Sequence, residues 1–235
     1  LWACSRHLSK LDFDVLINLH PNERCSFIDA MTSVKLRTGT THKIFKWFWD
    51  VFTPLDRSMH AADMYLDVLQ QLGVQDLSNN GLEIFPGEEH FLEAELFWQE
   101  QNITDQDKLI GFNIGSAVPT KRWPPERFAE VADIFADKGY KTVFFGGPMD
   151  EEMVAEATGY MQTRPIIATG HFAIGGLAAA MRRCCLIITN DSGPMHVAIS
   201  QKVPIVAMYG PSNPKLYGPY TKDAVIVTAQ PPCQG

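Results

Sequence analysis

The chain reads as an α/β protein of two modest domains, the second built on a doubly wound parallel sheet, and three observations support this. Its 235 residues are more than one ordinary domain needs. From residue 109 onward, short apolar runs alternate with helical stretches. Those runs are continuously apolar, with no polar residue at every second place, as in strands buried on both faces. The second half is therefore expected to be Rossmann-like.

The first half is sparser. Val15-Leu16-Ile17-Asn18-Leu19, bounded by Asp12-Phe13-Asp14 and Pro21, reads as a buried parallel strand. Between His60 and Leu72, residues Met64, Val68, Leu69 and Leu72 share one helical face, and Gly73 follows as a C-cap. Glu88 to Gln101, opened by Pro86-Gly87, is acidic, aromatic and helix-prone, as a surface or bridging helix would be. The polar stretch Thr104-Asp105-Gln106-Asp107-Lys108 then marks a boundary near residue 105, giving domains 1–105 and 106–235. Beyond it, strands are expected at 109–113, 142–146, 166–168, 186–189, 204–209 and 224–227. Helices are expected at 125–138, 151–161, 174–183 and 193–201.

Composition removes several classes. Hydrophobic residues at 46% and charged residues at 20% suffice for packed cores. Twenty Lys+Arg against 27 Asp+Glu leave a net charge of −7, the wrong sign for holding nucleic acid. No apolar run approaches the roughly 18 residues of a membrane span, and Leu1 to His7 is no signal peptide, so a cytoplasmic location is expected. Five cysteines without CxxC spacing read as reduced core thiols, with Cys233 left open. Leu at position 1 and loop chemistry over Pro231–Gly235 suggest a segment of a longer chain. Lys35-Leu36-Arg37 and His42 to Trp49 concentrate positive charge beside aromatics. They fit either a rest against the anionic face of the inner membrane or an ordinary helix burying its aromatics.

In an open parallel sheet ligands bind outside the carboxyl ends of the strands, so the loops leaving them are where polar residues become informative. After 109–113 come Ser116, Ala117, Thr120 and Lys121: small residues, hydroxyls and a compact cation, suited to phosphate or to a plain solvated loop. After 142–145, Gly146-Gly147-Pro148-Met149-Asp150 combines a tight turn with an acid that either caps a helix or accepts from ribose. After 186–189, Asn190-Asp191-Ser192-Gly193-Pro194-Met195-His196 is the strongest. Asp191 or Ser192 would cap a helix whose first amides face an anion, with His196 either adding a donor or merely packing. Gly210 to Pro219 forms a stiff rim. Walker A, GxGxxG, GxSxG and HExxH patterns are missing, and Asp105-Gln106-Asp107 precedes a strand where a metal-binding DxD should leave one.

Gly115-Ser116, Lys121-Arg122-Trp123-Pro124, Arg127-Phe128, Gly146-Gly147-Pro148, Asn190 to His196, Tyr209-Gly210-Pro211 and Gly218-Pro219 together resemble glycosyltransferase family 9, the ADP-heptose:lipopolysaccharide heptosyltransferases. The resemblance is ordered over about residues 108–220 and fainter before them. It implies a GT-B fold of two Rossmann-like domains, the second holding an ADP-sugar and the first, present in part, facing the lipopolysaccharide core acceptor. It implies inverting transfer without a metal or other cofactor. Lys121 would neutralise the leaving nucleotide, and Ser116 and Ala117 would border the diphosphate. Asp191, Ser192, Gly193 and His196 would cradle phosphate and sugar, Asp150 would take the ribose and Phe172 would flank the adenine. The family's general base would lie upstream of Leu1, leaving this segment inactive alone, and a last helix beyond Gly235. A nucleotide-sugar epimerase on the same fold and a non-catalytic nucleotide-binding module are the rival readings.

Overall fold

The computed structural model describes residues 1–20, 22–41, 47–54, 56 and 58–228. They form two compact units, Leu1–Asn79 and Asn80–Gly235. The first contains α1 (Trp2–Lys10), β1 (Val15–Asn18), α2 (Glu23–Met31), β2 (Leu36–Thr41), β3 (Val51–Pro54) and α3 (Ala61–Gln71). Its strands are parallel in the order β1-β2-β3, with Val15 opposite Leu36 and Thr38 opposite Val51. Asn22 caps α2 by accepting from Cys25 N at 2.7 Å, and Gly73 ends α3 at φ +88°.

β1 and α3 fall where the sequence puts them, although β1 is not the buried strand expected, Val15 and Ile17 being exposed, whereas α1, α2, β2 and β3 carry no strong pattern. β2 shows why: Leu-Arg-Thr-Gly-Thr-Thr is polar in composition, yet Thr38 and Thr40 are buried, and Gly39 is needed because a Cβ there would lie 2.1 Å from the Asn18 carbonyl oxygen. Leu36 and Arg37 thus sit on a strand, not on a helix. Residues His42 to Lys46 lie outside the described residues, as does Cys233.

The second unit contains α4 (Glu88–Glu100), β4 (Leu109–Asn113), α5 (Pro125–Asp137), β5 (Lys141–Phe145), α6 (Glu151–Tyr160), β6 (Ile166–Ile167), α7 (Ile174–Met181), β7 (Cys184–Asn190), α8 (Gly193–Ser200), β8 (Ile205–Tyr209), α9 (Pro214–Tyr217) and β9 (Ala224–Thr228). Every pairing is parallel, in the order β6-β5-β4-β7-β8-β9. Alternate strand residues feed two cores. Leu109, Val143, Phe145 and Ile187 pack with α4, α7 and α8, while Ile110, Phe112, Phe144 and Ile188 pack with α5 and α6. Burial on both faces is what makes the central strands β4, β5 and β7 apolar, whereas the edge strand β9 is apolar with Val225, Ile226 and Val227 exposed.

Two expectations change here. The compact units divide at Asn79/Asn80 and not near 105, because α4 is no bridging helix: its Ala94, Phe97 and Trp98 are buried in the second unit, Trp98 standing edge-on to Phe145 at 6.4 Å. The polar stretch at 104–108 is a local turn, in which Thr104 N and Oγ1 donate to Asp107 and Arg183 donates to the Asp107 carbonyl. The cysteines change too. Cys184 alone among the described ones is buried, with burial first and its neighbour Cys185 second pushing its thiol well up, while Cys4 and Cys185 are exposed and Cys25 half-buried. Among the described residues no helix is long and apolar enough to cross a membrane.

Candidate functional site

The connections from β4 run outward through β5 to β6, and those from β7 run the other way through β8 to β9, so the strand order reverses between β4 and β7. In an open α/β sheet the crevice outside the carboxyl ends of two such neighbours is where ligands bind. Asn113 and Asn190 end the two strands and tie the loops together. Asn113 Nδ2 donates to Ser192 Oγ at 2.9 Å and Thr189 Oγ1 at 3.2 Å. Asn190 Nδ2 donates to the Ile114 carbonyl at 2.7 Å and its Oδ1 accepts from Trp123 N at 2.9 Å. Neither was expected as a site residue, although a lone amide closing the run Leu-Ile-Gly-Phe-Asn is the signal that could have found Asn113.

At this crevice Lys121 Nζ lies 2.7 Å from Asp191 Oδ2, with the Lys121 side chain 27% exposed and that of Asp191 5%. Lys121 reaches it from a 3₁₀ turn, Pro119–Lys121, which Arg122 braces by donating from Nε to the Ser116 carbonyl at 2.8 Å. The Gly210 loop comes close behind: a Cβ on Gly210 would stand 2.9 Å from the Thr120 carbonyl oxygen. Tyr209 is buried and donates to the Tyr217 carbonyl at 2.9 Å. Burial, then the Asp191 carboxylate beside it, push its phenol up, so it stays a neutral donor.

Ser116 is buried, and Val118 N donates to its hydroxyl at 3.4 Å, while Ala117 and Thr120 are exposed. Ser192 occupies the N-cap of α8, but neither it nor Asp191 caps the helix: Asp191 is held by Lys121, and the Ser192 hydroxyl faces Asn113. The helix start thus has no side-chain cap, and a Cβ on Gly193 would meet nothing within 4 Å, so the fold itself does not require glycine there. His196 is half-buried in the first turn of α8. Asp150 accepts from Gly147 N at 2.9 Å and lies over Gly115, whose Cβ would fall 2.2 Å from its Oδ1, which joins the β5 loop to the β4 loop. Phe172 is set apart from this group, half-buried before α7 with its ring edge-on to Phe97 at 5.1 Å. Among the described residues no cluster of three or more His, Cys, Asp or Glu could hold a metal ion.

The model of Glycosyltransferase family 9 (heptosyltransferase) matches residues 1–235. A solved family 9 glycosyl transferase from Veillonella parvula is 56% identical with a TM-score of 0.88, covering 97% of this chain and 66% of that one. Lipopolysaccharide heptosyltransferase 2 of Escherichia coli K12 is 34% identical over 131 residues, 54% of this chain and 38% of its own. The solved E. coli ADP-heptose heptosyltransferase II, at 24% identity and a TM-score of 0.78 over 96% of this chain and 71% of that one, shares the fold. So, more remotely, do iron-containing TibC of enterotoxigenic E. coli, at 13% identity and a TM-score of 0.50, and a UDP-GlcNAc 2-epimerase of Methanocaldococcus jannaschii, at 11% and 0.56. The chain spans well under half the length of the E. coli K12 relative and just under two thirds of the Veillonella chain. Matched along all its residues, the chain belongs to glycosyltransferase family 9 and has the GT-B type of fold.

Proposed function

We propose that the chain is part of an inverting glycosyltransferase that moves heptose, or a similar sugar, from an ADP-sugar to lipopolysaccharide core, and that the β4–β7 crevice holds the donor. The observation behind this is the convergence of one cation, Lys121, and one uncapped helix start, α8, at the point where the strand order reverses. Both favour an anion, the first as a point charge and the second through the helix dipole. A diphosphate entering there exchanges with Asp191 for the Lys121 ammonium. Ser116, Ala117 and Thr120 border it, and Ser192, Gly193 and His196 contact the phosphates. Asp191, displaced from Lys121, accepts from the sugar hydroxyls, Asp150 from the ribose, and Phe172 flanks the adenine.

In the transfer, an acceptor hydroxyl attacks the anomeric carbon from the face opposite the diphosphate. A base on the acceptor side takes its proton, and the departing diphosphate gains charge that Lys121 and α8 stabilise. These two groups fill the place of a divalent metal, so the reaction is proposed to be metal-independent, on the cytoplasmic face of the inner membrane, where the lipid acceptor would lie. Calorimetry with ADP is the direct test, run with and without EDTA. Binding that survives EDTA and is weakened by Lys121→Ala supports the reading, and no heat at millimolar ADP refutes it. In an active full-length relative carrying the same change, turnover should fall more than donor affinity, because charge on the leaving group is greatest in the transition state.

A further inference from the structure

We propose that Asn113 is a positioning residue for the donor diphosphate: its carboxamide keeps the Ser192 hydroxyl off the start of α8 and turns the hydroxyl proton toward the bound anion. The proposal rests on the donor-site reading above. A serine at an N-cap ordinarily accepts from an amide of the first helical turn. Ser192, extended at φ −156° and ψ 168°, makes no such bond. Its Oγ instead accepts from Asn113 Nδ2 at 2.9 Å, and its own proton reaches only the Asn190 carbonyl at 3.3 Å, long for a hydroxyl donor. A hydroxyl has one proton to give. With an N–H fixed on its lone pair, that proton is directed to whatever acceptor arrives, and a phosphate oxygen is a stronger acceptor than the Asn190 carbonyl, which already accepts from Thr189 Oγ1 at 2.8 Å.

Asn113 is 0% exposed, and its Oδ1 lacks a hydrogen-bond partner. An apolar side chain of the same shape would avoid that standing cost, so packing alone does not account for an amide here. The two loops are thus joined through the group that would bind the ligand.

The test is a double-mutant cycle read by ADP affinity, with adenosine as the probe lacking phosphate. Asn113→Ala and Ser192→Ala should each weaken ADP roughly tenfold, about one hydrogen bond to a charged group, and leave adenosine unchanged. The double variant should bind ADP no more weakly than Ser192→Ala. Losses that multiply, adenosine affinity falling in step with ADP, or Ser192→Ala binding ADP normally each overturn the proposal. Should Asn113→Ala fail to fold, Asn113→Ser, which keeps a donor too short to reach Ser192, takes its place, and half-buried Ser192→Ala still decides. Wild-type protein that ignores ADP defeats the donor-site reading itself, and this proposal with it.

Discussion

Replacing Asp191 by asparagine separates what this carboxylate does for the empty protein from what it does for the ligand. In the structure it neutralises Lys121 across 2.7 Å, from a position only 5% exposed. A diphosphate oxygen taking the same ammonium at an ordinary distance of about 2.8 Å would sit roughly 5 Å from the carboxylate. Two unit charges at that separation repel by about 3 kcal/mol at an effective dielectric of 20. Water reaches the crevice, since Lys121 is 27% exposed, and screening reduces the repulsion to about 1 kcal/mol. Asp191→Asn should therefore bind ADP about fivefold more tightly. The empty protein should lose about 1–3 kcal/mol, between the values for exposed and buried ion pairs. ADP-heptose should show no such gain, because the carboxylate proposed to accept from its sugar hydroxyls is gone. Calorimetry with both ligands and a thermal melt supply the numbers. A folded Asp191→Asn protein that binds ADP more weakly than wild type would refute the exchange of Asp191 for diphosphate on Lys121.

Two glycines should respond oppositely to alanine. Gly193→Ala, with open space around its Cβ, should hold stability within about 0.5 kcal/mol yet weaken ADP, while Gly115→Ala, driven against the Asp150 carboxylate, should cost about 1–3 kcal/mol in a denaturant titration. Phe172→Ala should cost about 2 kcal/mol through its contact with Phe97 and weaken ADP while leaving inorganic diphosphate binding unchanged, which nucleotide and diphosphate titrations will read. Asp133, on α5, accepts from Gln162 N at 2.8 Å and Thr163 N at 3.0 Å. Desolvation opposes its ionisation, but these bonds outweigh it and hold its carboxyl below the ordinary value. A group depressed in the folded state stabilises above its unfolded pKa near 4 and loses that contribution as pH falls through the folded value. Asp133→Asn should accordingly flatten stability against pH below about 4 and leave it unchanged in shape near neutrality.

The sequence by itself determined the sheet of the second unit and the helices that follow its strands. Each of β4 to β9 and α5 to α8 lies within a few residues of its expected place, because a parallel sheet covered on both faces writes burial into its central strands as apolar runs such as Leu109–Phe112 and Cys184–Ile188. The loops at the carboxyl ends of β4, β5 and β7 were legible for the same reason, since glycine, serine, lysine and aspartate stand out where apolar runs stop. Tertiary structure alone decided the rest. Thr38, Gly39 and Thr40 form a buried strand only because a neighbouring backbone passes against Gly39, and α4 joins the second unit only because Phe97 and Trp98 find Phe145 and Phe172 across the fold. It also decided that Asp191 holds Lys121 and that Asn113 holds Ser192. Such pairings join residues 70 and 79 positions apart, a distance at which local pattern carries no information about which polar atoms will meet.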